Sequence, residues 1–141
     1  MLRKYKLIIT EKQANRIIKA LDLYTRLSAG QINELNEITF EKNKKGFNTE
    51  ASQGTLALLQ REMFPSLGSL SASYGIYSQK LPDRIREAYD IFKVMMYEFN
   101  KDKGIMNVYA DKVRQTSKQP LPSFEEIKLT EIGDAIWEIK I

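Results

Sequence analysis

Tyr5-Lys6-Leu7-Ile8-Ile9-Thr10-Glu11-Lys12-Gln13-Ala14 is the stretch on which the reading of the fold turns. Its first half, Tyr5 to Thr10, is short, β-branched and alternating, the pattern of a strand. Thr10 then has the chemistry of a helix N-cap: Gln13 three residues later completes a capping box, and Glu11 suits the positive end of the helix. A helix follows, with Ala14, Ile17, Ile18, Leu21, Tyr24 and Leu27 at the spacing of one face and Lys12, Arg16, Lys19, Asp22 and Arg26 off it. Gly30 is its stop. A strand feeding a helix predicts a domain of mixed class.

Residues 31–43 fit two patterns, since Ile32, Leu35 and Ile38 have helical spacing whereas Glu37 to Glu41 alternates; a turn leading into a strand is the favoured reading. Lys42 to Asn48 is a polar loop. A second helix is predicted over residues 50–63, burying Leu56, Leu59 and Met63 and stopped by Pro65. Ser66 to Ser78 is rich in Ser and Gly yet carries Leu67, Leu70, Tyr74, Ile76 and Tyr77, which fits either a loop that folds onto something or a packed omega-type loop with a structural role alone. Pro82 suits the first position of a long helix running to Asn100, with Ile85, Ala88, Phe92, Met95, Met96 and Phe99 as its apolar stripe and Tyr89 and Tyr97 on the flanks.

The remainder reads as β structure. Gly104 allows a turn, Ile105 to Tyr109 looks like a strand, and Pro120-Leu121-Pro122 precedes Phe124 to Leu129 and an alternating run from Ala135 to Ile141. The fold class expected is therefore α+β: a mostly antiparallel sheet packed with about three helices, two of them long, in one domain over residues 1–141. The apolar width of the third helix predicts a homodimer or larger homo-oligomer that uses Phe92, Met95 and Phe99.

With 141 residues, 43% hydrophobic and 28% charged, the chain has the composition of a soluble globular domain. It has too short an apolar run for a membrane span or a signal peptide, which predicts a cytosolic protein. Cys and His are both absent. That excludes disulfides, thiolate nucleophiles, imidazole bases and the Cys and His ligands of zinc, and catalysis would fall to Asp, Glu, Lys or Tyr. No dinucleotide fingerprint, phosphate loop, EF-hand or zinc-protease motif is present. Asp83, Glu87 and Asp90 share a helix with Arg84, Arg86 and Lys93 and read as surface ion pairs. No enzyme activity, cofactor or metal is expected.

The net charge of +4 is uneven: residues 1–30 hold seven basic and two acidic side chains, residues 121–141 two basic and five acidic. The ends are complementary in charge, and the basic start also suits an anionic partner.

Two groups of residues carry a resemblance. One is Ala20-Leu21-Asp22-Leu23-Tyr24-Thr25-Arg26-Leu27-Ser28-Ala29-Gly30-Gln31. The other is Gly75-Ile76-Tyr77-Ser78, then Ala88-Tyr89-Asp90-Ile91-Phe92-Lys93-Val94, a short strand and Pro120-Leu121-Pro122. In order and spacing, over roughly residues 5–128, the chain resembles the first type of phage and prophage Thoeris anti-defence protein. Relatives often have Arg and His where this chain has Met96 and Tyr97. The resemblance implies a sponge in the host bacterial cytoplasm. Such a protein binds a cyclic ADP-ribose isomer, made by a bacterial TIR-domain immune enzyme, without cleaving it. It also implies dimers or larger homo-oligomers and, in some members, a separate site for cyclic oligonucleotides.

A sponge needs arginines for phosphate, aromatic faces for adenine and amides for its edge. On chemistry alone the candidates are Tyr24, Arg26 and Gln31 at the end of the first helix, Tyr77 and Tyr89 for stacking, and Asn107, Tyr109 and Arg114 behind the third helix. Arg114 ranks first for phosphate because Gln115, Thr116 and Ser117 adjoin it. For each there is a plain structural role as well: Arg26 complements the helix dipole, and the tyrosines pack. The second reading of function is a small basic nucleic-acid-binding accessory protein, and a structural phage subunit is a third.

Overall fold

The computed structural model describes residues 3–38, 50–101 and 113–127. Its first helix, α1 (Glu11–Ser28), begins as the capping box predicts. The Thr10 hydroxyl accepts from the Gln13 amide at 3.1 Å and the Gln13 side chain accepts from the Thr10 amide at 3.0 Å, so two orphan donors of the first turn are satisfied. The helix ends at Gly30, whose φ of +101° is the left-handed conformation that a side chain resists. A Cβ there would also run into Leu67.

Beyond that reversal a 3₁₀ helix spans Ile32–Ile38, α2 covers Glu50–Met63 and α3 covers Asp83–Asn100. Pro82 proves to be the N-cap of α3 rather than its first residue. Helices α1 and α3 form the main packing pair. Ala14 and Ile18 of α1 pack with Phe92 and Met95 of α3, whereas Ala29 beyond the end of α1 packs with Leu81 and Ile85. The two helices therefore run antiparallel. Each contributes an apolar stripe, and burying those stripes against each other supplies the hydrophobic driving force.

The expected α+β fold with a mostly antiparallel sheet is overturned: no strand occurs among the described residues, and their regular structure is entirely helical. Tyr5 to Thr10 has a strand's composition but pairs with no described segment, and a lone extended segment has no ladder to hold it. Its Tyr5 and Leu7 stand exposed. The turn-and-strand reading fails over Ile32–Ile38 because the Gly30 reversal starts a tight helical turn, with the Glu34 amide donating to Gln31 and buried Ile32 as its anchor, and residues 39–43 lie outside the described residues. Phe124 to Ile127 is irregular backbone. The strands expected at 105–109 and 135–141 lie outside the described residues.

Two packing expectations also change. Phe92 and Met95 are buried inside the chain against α1, and Phe99 sits 6.2 Å from the Phe124 ring, so these residues serve the fold and do not form an exposed oligomer face. In α2, Leu56 is buried but Leu59 and Met63 are exposed, because α2 meets the rest of the chain through Leu56 and the 2%-exposed Gln60 instead. No helix of the described residues is long and apolar enough to cross a membrane.

Candidate functional site

Helix α3 presents three different sides. Its apolar stripe faces α1, as above. On another side, Asp83 and Asp90, two turns apart, hold a strap formed by residues 113–127. Asp90 is 3% exposed, and its carboxylate accepts the Thr116 hydroxyl at 2.6 Å and the Thr116 and Ser117 amides at 3.0 Å. Asp83 accepts the Lys118 amide at 3.0 Å, and Glu98 accepts the Glu126 amide at 3.2 Å. Asp90 is thus no surface ion pair: it is a buried anchor whose charge is met by backbone donors.

Between the α1 side and the strap side lies a third, polar side, on which Arg86, Tyr89 and Lys93 share a face at i, i+3 and i+7. All three are partly exposed. Arg86 Nη1 donates to the Ile76 and Ser78 carbonyls at 3.2 and 3.1 Å, while its Nε lies 3.5 Å from Asp83. It therefore clamps the loop on both sides of Tyr77, whose own side chain is 70% exposed. The same loop is fixed from below by Gln60, which donates to the Gly30 and Ala72 carbonyls at 3.0 and 3.2 Å, and by the Tyr74 amide on the Ala29 carbonyl at 2.8 Å. Ser66 to Ser78 is a packed loop held by named clamps.

Higher on the same face, Lys93 Nζ stands 5.1 Å from the Tyr89 ring centroid, within cation–π range. Burial pushes the Lys93 ammonium below the ordinary lysine value, the Asp22 carboxylate pulls it back up, and the Arg26 charge lowers it again. The packing of Ala29 with Leu81 and Ile85 sets the end of α1 beside the start of α3. Arg26 Nε is 2.9 Å from Asp22, and its Nη1 is 3.4 Å from the Gln31 amide oxygen and 3.7 Å from Glu34. On the other flank, Arg114 is exposed and lies two residues from Thr116. Since two residues span at most about 7 Å, the Asp90 anchor keeps Arg114 close to the strap side of the face.

Along this face of α3, then, run Arg86, Tyr89 and Lys93, with the Tyr77 loop clamped at its lower end by Arg86 and Arg114 tied to the strap side through the Asp90 anchor. Of the candidates named from sequence, the structure groups Arg26, Gln31 and Tyr89 most closely and sets Tyr77 and Arg114 at the margins. Tyr24, 43% exposed, stands about 200° around α1 from Arg26 and does not share its side of the helix. Asn107 and Tyr109 lie outside the described residues. A shallow cleft lined by Glu11, Lys12, Asn15 and Phe99 lies at the far end of the α1–α3 pair and contains none of the candidates.

Sequence reasoning missed Lys93, Arg86, Asp90 and Gln60. The signal for the first two was present as a basic–aromatic–basic series at positions 86, 89 and 93, hidden by reading each charge on α3 as a solvated pair. A mid-helix Asp, a weak helix former, was the signal for Asp90. No family model, no curated protein and no solved structure matches this chain.

Proposed function

We propose that the chain is a phage anti-defence sponge that binds a cyclic ADP-ribose isomer in the host cytoplasm and withholds it from its effector without cleaving it. The observation that carries this reading is a convergence. Residues 20–31, 75–78, 88–94 and the strap before Pro120 are far apart in sequence, yet the Arg86, Asp90 and Tyr74 hydrogen bonds tie them together around α3. These are the segments that carry the resemblance, and together they supply cations, aromatic faces and an amide. A nucleotide with two phosphates needs just that set. Homo-oligomerisation belongs to the same proposal, through a surface other than Phe92, Met95 and Phe99.

The test mixes purified protein with the TIR-enzyme product, measures effector activation, then denatures the protein by heat and measures again. Sequestration predicts loss of signal and full recovery. Loss without recovery of intact ligand means degradation and overturns the reading. Arg114→Ala is expected to weaken binding at least about 25-fold, as losing a charged partner of a phosphate in a partly dry site does, with an unchanged melting temperature. Arg84→Ala, exposed on the first turn of α3, is the control and should change neither.

A second reading rests on Arg3, Lys4, Lys6, Lys12, Arg16 and Lys19, all exposed. Nucleic-acid binding through them predicts an affinity that falls steeply with salt, by a log–log slope of about −0.9 per phosphate neutralised on a duplex. Titration at two salt concentrations separates the two readings.

A further inference from the structure

We propose that the outward side of α1, with the extended segment before it, binds single-stranded nucleic acid: Lys12, Arg16 and Lys19 take the phosphates, and a base lodges in the cleft of Glu11, Lys12, Asn15 and Phe99. The inference rests on the nucleic-acid reading above and is independent of the sponge.

Residues 3–20 hold Arg3, Lys4, Lys6, Lys12, Arg16 and Lys19 against a single carboxylate, Glu11. All six cations are exposed, and unlike Arg26, Arg86 and Lys101 none of them forms an ion pair with a carboxylate of the described residues, Glu125 and Glu126 of the acidic end included. Lys12, Arg16 and Lys19 follow one another at i, i+4 and i+7, so they form one stripe, with steps of about 6 and 4.5 Å along the helix axis. Ala14, Ile17, Ile18 and Leu21, packed with Phe92 and Met95, take the opposite side. A row of cations on a helix held rigidly from behind is suited to track a phosphate backbone.

The cleft points to a single strand. It has a volume of about 450 Å³ and opens beside the stripe, with Lys12 belonging to both. Phe99 gives it an aromatic wall, and Asn15 and Glu11 bring donors and acceptors for the edge of a base. A carboxylate there repels phosphate, which orients the strand with its backbone on the stripe and a base in the cleft. Bases held in a duplex stack cannot enter such a cleft without being unstacked. Tyr5, 87% exposed between Lys4 and Lys6, adds a second stacking surface on the segment that Ile9 tethers to the core. A lipid surface fits less well, because a helix lying in a bilayer interface inserts its apolar side, and that of α1 is spent on α3.

Fluorescence anisotropy on the full chain, with a labelled single strand of about 12 nucleotides and the matching duplex, tests the site. The strand should bind more tightly than the duplex, with a log–log salt slope of about −0.7 per phosphate met. Replacing the stripe by Lys12→Gln, Arg16→Gln and Lys19→Gln together should make that slope shallower by about 2. Tyr5→Ala should lose about tenfold for the strand and keep its duplex affinity, and Tyr5→Phe should recover the loss. Asn15→Ala should weaken strand binding about fivefold, as the loss of a hydrogen bond to a base edge does. Urea midpoints of the stripe and Tyr5 variants should match the parent, since these side chains are exposed.

If strand and duplex bind equally and neither Tyr5→Ala nor Asn15→Ala changes the affinity, the single-strand site is wrong and the nucleic-acid reading stands. A stripe variant that keeps the parent's slope also overturns the site, since the phosphates then lie elsewhere. Binding to neither nucleic acid, or to phosphatidylserine vesicles alone, overturns both, while the heat-release test of the sponge is unaffected by any of these results.

Discussion

The side of α3 that meets α1 and the side that meets the strap are buried by different physics. Against α1 the contact is apolar, through Phe92 and Met95 packed with Ala14 and Ile18, and its strength scales with surface removed from water. Against the strap it is one buried carboxylate, Asp90, receiving directed donors from Thr116 and Ser117. The first tolerates small shifts and holds the molecule together. The second fixes a short segment in place with few contacts, and so fixes where Arg114 begins. The polar face of α3 between them is therefore carried on a helix held from both sides.

The largest effect expected from breaking this contrast is on the apolar side. Ile85, at 2% exposure, is among the most enclosed side chains, and Ile85→Ala should cost about 2 to 5 kcal/mol through lost burial and the cavity left behind. Because it sits where α3 meets Ala29 and Leu81, the loss should appear as a lower urea midpoint for the whole chain. A change under about 1 kcal/mol would mean that the cluster of Ala29, Leu81 and Ile85 contributes little to the stability of the chain.

On the strap side, Asp90→Ala should cost about 2 to 3 kcal/mol, since hydrogen bonds to a charged group are lost and the Thr116 and Ser117 amides are left without an acceptor. The loss should be local. Amide exchange at Thr116 and Ser117 should accelerate strongly while amides in the middle of α1 slow no less than before, as expected when one segment opens without the rest. Uniform acceleration along the chain would erase the distinction between the two sides.

The same contrast explains what was legible. Helix α1 could be read from its capping box, its apolar period and Gly30, because each of those signals is local. Helix α3 could be read on its α1 side for the same reason. Its strap side could not: Asp90 is identical in sequence to a solvated aspartate until a segment 26 residues downstream arrives to donate to it. Tyr5 to Thr10 misled in the opposite way, since strand composition says what a segment can pair as and not whether a partner is present. Of the candidate residues, Arg26 and Gln31 were legible as near neighbours at a helix end, whereas the setting of Lys93 became visible only with α1 packed against α3.

The smallest expected effect belongs to that polar face itself, and its sign can be worked out. The folded-state pKa of Lys93 is depressed, chiefly by burial, with Asp22 opposing and Arg26 adding to the shift. Just below the ordinary lysine value, the unfolded chain therefore holds a proton that the folded chain has released, and stability rises with pH wherever the unfolded state binds more protons. Below the depressed value both states are protonated and the penalty is constant. Lys93→Met removes the titration while leaving Asp22, Arg26 and Arg86, other charged groups of α1 and α3 at this face. The stability of the parent relative to Lys93→Met should thus be level near neutrality and climb as pH rises toward the ordinary lysine value. The change should be modest because the ammonium keeps contact with water. Unfolding of the two proteins across that range in urea measures it, with the ionisations common to both cancelling in the difference. A difference that falls with pH would mean that the Asp22 carboxylate outweighs burial at Lys93.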